Sequence, residues 1–426
     1  MDNLPLLWIN TEDTGTRLRY TMEVCFAFIV KIPYAMGRPE DRPSSAISLT
    51  LPSSSTHPAG ILRASHWRSY AEIGDFFNES LTVETAFLKE GADWPGLAFL
   101  ILTRYEEQVK DAPKDYFERF PALASHQLKL GLLSLPVIKI WILKELEKVG
   151  YPLHLIPKRS AQKVTVDIDR LVWAKNDFWS MFWPKLMADV LQGRWTKAQQ
   201  RWAVNQGATD PFDATTAIHF LVQQGWEPLV FLLLNPKPDG RWDRNLKPNH
   251  PLMLEFIKAF PKERFGIHPS LASHKNLDQL KAELVAFEKL VGYRPKYSRQ
   301  HYLKIHWLDT FRNLESLGIE EEHSLVFPEM AGFRCGTSSP YPWYDLANDR
   351  ISKLMVHPPV WMDRSHISLE MKELNEGYSR IKEICAQYDE PFETIWHNDS
   401  LCAGLEWAHW KEFIYTQLGG KHDTHS

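Results

Sequence analysis

Asp167 and Asp169 stand one residue apart at the end of Val164-Thr165-Val166-Asp167-Ile168-Asp169-Arg170. The β-branched lead-in reads as a buried strand whose C-terminal edge carries both acids. In α/β folds that edge is where ligands sit and catalytic groups cluster. Two carboxylates there can divide labour, one held to a cation and one left to move a proton. An ordinary loop after a strand also carries Asp, so the pair alone leaves both readings open. Four more polar clusters follow predicted strands. They are Phe265-Gly266-Ile267-His268-Pro269-Ser270, Tyr297-Ser298-Arg299-Gln300-His301, Ala331-Gly332-Phe333-Arg334-Cys335-Gly336-Thr337 and Thr394-Ile395-Trp396-His397-Asn398. Singly each is weak: a lone histidine is more often a core or surface residue than a ligand, and Arg299 or Arg334 could be a plain ion-pair partner. Jointly they supply an acid pair, three histidines and two arginines. Those are the parts of a metal-assisted hydrolase: Asp and His ligands, a carboxylate base, a cation near the oxyanion and a proton donor.

Such groups need strands and helices to hold them. Residues 228–234, 264–267 and 297–300 read as further strands, and residues 215–224 and 277–290 as helices, the latter opened near Asn276. Residues 177–206 read as a Trp-rich helical stretch in which Pro184 allows a break. This rhythm predicts an α/β fold, a parallel sheet or barrel with crossover helices. Upstream, Leu6-Leu7-Trp8-Ile9 and Cys25-Phe26-Ala27-Phe28-Ile29-Val30 read as strand pieces, and residues 42–60, rich in Ser and Pro, as turns or a long loop. One helix opens at Asp93, a candidate cap, with Pro95 in its first turn. A second spans residues 135–149 with Ser134 as its cap, and Ile138, Trp141, Ile142 and Leu146 form its apolar face. The connector Pro157-Lys158-Arg159-Ser160 marks the main boundary, giving an N-terminal α/β accessory domain over 1–157 and a second domain over 158–426.

Bulk properties narrow the class. The 426 residues carry a net charge of -4, which offers no electrostatic case for nucleic acid or an anionic membrane as partner. Hydrophobic content of 44% and charged content of 24% are those of a soluble globular protein. The 17 Trp, 22 Phe and 14 Tyr would suit sugar rings, although Trp is more often core than platform. Cys25, Cys335, Cys385 and Cys402 have no metal-type spacing and suggest no disulfide framework, so a reducing compartment fits. Met1-Asp2-Asn3-Leu4-Pro5 lacks a basic leader, and the longest apolar runs fall far short of the ~20 residues that span a bilayer. The expectation is a cytoplasmic protein with no transmembrane segment. Nothing in the sequence sets its oligomeric state.

Over residues 164–400 the chain resembles the polysaccharide deacetylases, the NodB-homology carbohydrate esterases. The resemblance rests on Thr165-Val166-Asp167-Ile168-Asp169, Gly266-Ile267-His268-Pro269-Ser270, Ser298-Arg299-Gln300-His301, Gly332-Phe333-Arg334-Cys335-Gly336-Thr337 and Trp396-His397-Asn398. More narrowly it resembles a bacterial branch with an additional N-terminal domain, through Thr103-Arg104-Tyr105-Glu106-Glu107, Arg119-Phe120 and Leu135-Pro136-Val137. The resemblance implies an irregular (β/α) barrel that uses a divalent metal, expected to be zinc, to remove N- or O-acetyl groups from an amino-sugar-containing glycan. By position, Asp167 would be the base, Asp169 and His268 metal ligands, Arg299 the residue that orients the base and His397 the proton donor. Arg334 joins the catalytic set through its motif. The family's second metal histidine lies four residues after the first, where this chain has Ala272, and the adjacent acid pair is here split by Ile168. His301, water or Ser270 can take the missing place, His301 being the expected third ligand. Two other functions stay in view: a non-catalytic glycan- or partner-binding protein on the same fold, and an amidase acting on a small molecule.

Overall fold

The β-branched run before the acid pair forms the strand Gln162–Ile168, buried from Val164 onward. Burial of both faces is the mark of an interior strand in a parallel sheet. The computed structural model describes residues 4–419 except 14, 53–60, 63–67, 82–87, 159 and 176–178. Arg159 of the connector, part of the 42–60 stretch and the start of the 177–206 stretch therefore lie outside the described residues. In chain order the strands are β1 (Leu7–Asn10), β2 (Tyr34–Gly37), β3 (Ile47–Thr50), β4 (Gln162–Ile168), β5 (Leu229–Leu232) and β6 (Phe265–Ile267). They continue with β7 (Tyr297–Ser298), β8 (Glu321–Glu322), β9 (Tyr341–Asp345), β10 (Arg350–Val356), β11 (Trp361–Met362) and β12 (Phe392–His397). The protein is of the α/β class, with a small parallel sheet near its N-terminus and more extensive, mostly parallel pairing further along.

Compactness divides the chain otherwise than at residue 157. One unit gathers Met1–Gln162, Leu303–Ser365 and Tyr378–Glu393; the other gathers Lys163–Tyr302, His366–Gly377 and Thr394–Ser426.

In the first unit β1 is the middle strand of the order β2-β1-β3, parallel to both neighbours. The strand β3 falls inside the stretch expected to be turns. Its four residues are too few to stand out among the Ser and Pro around them. Residues 25–30 are a correction. They are helical, a π-helix over Glu23–Val30 that continues Thr16–Met22, with Val24, Cys25, Phe26, Ile29 and Val30 buried. A short apolar run carries no period that separates a buried strand from a buried helix. Asp93 caps Trp94–Leu102 as expected, accepting a hydrogen bond from Gly96 N at 2.9 Å, with Pro95 in the first turn. The helix expected over 135–149 is the shorter Val137–Lys148, with Pro136 rather than Ser134 at its N-cap. Proline disfavours helical backbone in the residue before it, so Leu135 stays out.

In the second unit β4, β5, β6 and β7 pair in parallel, with Ile168 opposite Leu232, Leu232 opposite Ile267 and Ile267 opposite Ser298. That register aligns the polar clusters, because Asp169, His268 and Arg299 each stand one residue beyond their strands. Gly266 lets β6 pack closely: a Cβ there would meet Phe231 Cδ1 at 2.8 Å and the Tyr297 carbonyl at 2.9 Å. The helix Leu277–Val291 is capped by Asn276, which accepts from Gln279 N at 3.1 Å, and Gly292 ends it at φ 90°. Leu280, Leu284, Phe287 and Val291 make its buried stripe. Pro184 does not break the Trp-rich region; it lies inside Trp179–Leu191, and the second helix of that region is Trp195–Asn205. Among the described residues, no helix is long and apolar enough to cross a membrane.

Candidate metal centre

Asp169 sits one residue past β4, His268 one past β6 and His301 three past β7. The Asp169 Oδ1 atom lies 3.2 Å from His268 Nε2 and 3.6 Å from His301 Nε2. Ligands bound tetrahedrally at about 2.0–2.1 Å from a zinc ion are themselves about 3.3 Å apart. The three donors therefore have the spacing of ligands around one small cation, and Asp169, His268 and His301 could hold a metal. Asp169 Oδ1 is buried and makes no hydrogen bond of good geometry, so the oxygen aimed between the two rings has the character of a ligand atom. A fourth group stands close by, with His397 Nε2 at 3.9 Å from Asp169 Oδ2.

The ring orientations are set from behind. His268 Nδ1 donates to the Arg299 carbonyl at 2.6 Å, and His301 Nδ1 to the Asp243 carboxylate at 3.0 Å. With the proton on Nδ1, each imidazole turns an Nε2 lone pair towards Asp169. Asp243 is itself fixed, accepting from Asn235 Nδ2 at 2.9 Å and Leu271 N at 3.2 Å. A polar chain runs on beneath: Gln279 Nε2 donates to Asn235 Oδ1 at 3.1 Å and to Glu283 Oε1 at 2.8 Å, and Glu283 accepts from Ser270 N at 3.0 Å and from its hydroxyl. That hydroxyl contact takes up Ser270, one of the alternatives for the third ligand.

Electrostatics follow the same geometry. Burial alone would raise the pKa of Asp169, but His301, His268 and His397 outweigh it and hold the carboxyl well below its usual range. Burial alone would lower His268; Asp167 and Asp169 reverse that and raise it above the ordinary imidazole value. Asp243 is lowered too, as the His301 contact, Asn235 and Leu271 N overcome its burial. The acids and the imidazoles therefore stabilise each other's charged forms, which is what close opposite charges do.

Asp167 has a different setting. Arg299 Nη1 donates to Asp167 Oδ1 at 2.9 Å and to Thr165 Oγ1 at 2.7 Å, and Thr165 Oγ1 donates to the Thr394 carbonyl at 2.8 Å. The guanidinium is fully buried and lies over the Phe231 ring at 4.4 Å. Asp167 is thus held at a fixed angle, while its neighbour but one faces the histidines.

Of the residues singled out in the sequence, Asp167, Asp169, His268, Arg299, His301 and His397 all lie in the second unit, and the contacts above link them. Arg334 lies in the first unit. Its guanidinium is taken up by Glu107, with Nε 2.9 Å from Oε1 and Nη2 2.5 Å from Oε2, and by the Val326 carbonyl at 2.8 Å. Glu107 also receives Arg104 Nε at 2.7 Å, and all three side chains are buried. This is a buried ion-pair network of the Arg104-Tyr105-Glu106-Glu107 turn, the alternative already open for Arg334. Sequence reasoning missed Asp243 and Asn235. Both follow β5, so the rule that directed attention to the other strand ends applied to them as well.

The fold and centre are those of an α/β protein with a candidate Asp/His metal site at the C-terminal ends of parallel strands. Residues 6–149 match the model of a family described as "Family of unknown function (DUF7033)". No curated protein matches the chain by sequence. Among solved structures, the chain is similar to that described as "putative polysaccharide deacetylase from Mycobacterium smegmatis". The TM-score is 0.39 at 14% identity, over 62% of this chain and 85% of that one.

Proposed function

We propose that this protein is a metal-dependent hydrolase that removes acetyl groups from an amino-sugar-containing glycan, with zinc at the Asp169, His268 and His301 centre. In this reading residues 158–426 carry the catalytic domain, an irregular (β/α) barrel of polysaccharide-deacetylase type, and residues 1–157 are accessory to it. The observation that carries the proposal is the convergence of those three donors beside a carboxylate, Asp167, that Arg299 braces separately.

A divalent cation bound there would polarise the acetyl carbonyl and bring the pKa of a bound water towards ~7. Asp167 would take the proton from that water, and the Arg299 hydrogen bond would keep its carboxylate turned for the transfer. His397 would deliver a proton to the departing amine of an N-acetyl group. His268 and His301 would hold their ligand tautomers through the Arg299 carbonyl and Asp243. Arg334, engaged by Glu107, has no part in these steps. A cytoplasmic enzyme of this kind would meet a soluble precursor, a lipid-linked sugar or a nucleotide sugar.

The test combines metal content with acetate release from acetylated amino-sugar oligomers and from those three donor classes. Asp167→Asn should keep the metal and lose activity by about 10²–10⁴-fold, the usual worth of a general base. His268→Ala should lose metal and activity together. If the wild-type protein holds metal yet releases acetate from no substrate, the hydrolase reading fails and a binding protein is left.

A further inference from the structure

We propose a second metal-binding site, formed by Glu321, His323 and His357 within the first unit. It goes beyond the hydrolase reading and does not depend on it.

The site follows from strand register. Strands β8 and β10 pair in parallel, Met355 opposite Glu321 and Val356 opposite Glu322. The backbone pairing runs one step further, His357 N donating to the Glu322 carbonyl at 2.8 Å. His323 and His357 are the first residues beyond these two strands, so their rings emerge side by side at the C-terminal ends. They stack with centroids 4.7 Å apart and planes 27° apart. Glu321 is two residues before His323, and period-two alternation puts both side chains on the same face. The intervening Glu322 turns the other way and accepts from Ser324 N at 2.9 Å.

The donors then converge. Glu321 Oε2 lies 3.1 Å from His357 Nε2 and 3.6 Å from His323 Nε2. These spacings bracket the about 3.3 Å edge expected of tetrahedral ligands around a zinc-sized ion. His323 also has the outer partner that metal-binding imidazoles usually have, because its Nδ1 donates to Glu393 Oε1 at 2.7 Å. With that proton on Nδ1, the Nε2 lone pair points at the Glu321 carboxylate. Either a second proton on the ring or a metal ion between the two would balance that carboxylate, and the two convergent rings favour the metal ion.

The chemistry of the set names the ligand class. Two imidazole nitrogens and one carboxylate oxygen suit a borderline divalent ion such as Zn²⁺ or Co²⁺, and are too nitrogen-rich for Mg²⁺ or Ca²⁺. His323 is 1% exposed and His357 9%, whereas the Glu321 side chain is 32% exposed. An ion would therefore be held by the buried rings and reached from solvent past Glu321, with its fourth position left to water.

The experiment uses the full chain, stripped with a chelator, reloaded with Zn²⁺ and cleared of excess by gel filtration before its metal is counted. The variant Asp169→Asn/His268→Gln removes the first centre and should still hold one zinc per chain. Adding His357→Gln, or the milder Glu321→Gln at a part-exposed position, should remove that zinc while the far-UV circular dichroism stays unchanged. Loaded with Co²⁺ instead, the Asp169→Asn/His268→Gln protein should show the strong visible absorption of a tetrahedral site, lost again in Glu321→Gln. The inference is overturned if Asp169→Asn/His268→Gln binds no zinc while folded, or if its zinc survives both further substitutions. Failure of the first centre alone would look different: the wild type would then hold one zinc, and Glu321→Gln would remove it.

Discussion

Asp243 determines how His301 can act. Its carboxylate takes the Nδ1 proton at 3.0 Å, and Asn235 and Leu271 N fix the carboxylate in turn. Partners behind a metal histidine commonly contribute a factor of about 10–100 in affinity. Asp243→Asn should therefore weaken zinc binding at the first centre by about 10–100-fold and leave the unfolding midpoint nearly in place. Isothermal titration beside a thermal melt reads both, and an unchanged affinity would remove Asp243 from the site. At this scale much was legible beforehand. Asp167 and His397 lie at the ends of strand-like segments, and Asp169, His268, Arg299 and His301 just after them, in motifs that can be recognised one at a time. Asp243 escaped because it lies in a turn-rich segment, Asp239-Gly240-Arg241-Trp242-Asp243, with no neighbouring histidine to mark it. The third ligand stayed open in the sequence for a related reason. The spacing after His268 points to Ala272, and only the pairing of β6 with β7 shows how near His301 comes.

The elements carry the site to its place, and two of them can be tested. Gly266 lies in the strand that presents His268, against Phe231 on one side and the Tyr297 carbonyl on the other. Gly266→Ala should cost about 1–3 kcal/mol of stability, as overpacking does, and should weaken zinc binding because β6 must shift. Wild-type stability and affinity together would contradict that close packing. The helix Thr310–Ser316 is fastened to β10 by Glu315, which accepts from Arg350 Nη2 at 2.5 Å, Ser352 Oγ at 2.7 Å and Lys353 N at 2.9 Å. Burial opposes its charge, but these donors win and bring its pKa down to about 2 from 4.5. A carboxylate lowered on folding stabilises above its unfolded value and loses that contribution as pH falls towards the folded one. Glu315→Gln should therefore cost about 1–2 kcal/mol at neutral pH, discounted because Arg350 is 43% exposed. The deficit should shrink as pH drops from 4.5 towards 2. Urea unfolding of both proteins across that range checks the sign, and a gap that widens in acid would contradict it. Clear caps and stripes made Leu277–Val291 legible within a residue or two, and likewise the start of Trp94–Leu102. The segment Glu23–Val30 was not, because an unbroken apolar run shows only that it is buried.

For the whole molecule, composition excluded little and misled little. Of the many tryptophans, Trp94, Trp141, Trp361, Trp396, Trp407 and Trp410 are fully buried, which is the commoner role of that residue. The compact unit that collects Met1–Gln162, Leu303–Ser365 and Tyr378–Glu393 depends on contacts distant in sequence, which local patterns do not display. Arg334 is an example. Its motif placed it with the catalytic residues, whereas the long-range partner Glu107 holds it in a buried ion-pair network. The central claim is that Asp169, His268 and His301 bind one metal ion. Anomalous diffraction at the zinc edge from zinc-loaded crystals of the full chain tests it most directly. The account predicts a peak about 2.0–2.2 Å from the Asp169 carboxylate and from both Nε2 atoms. Well-ordered side chains with no peak between them would contradict it.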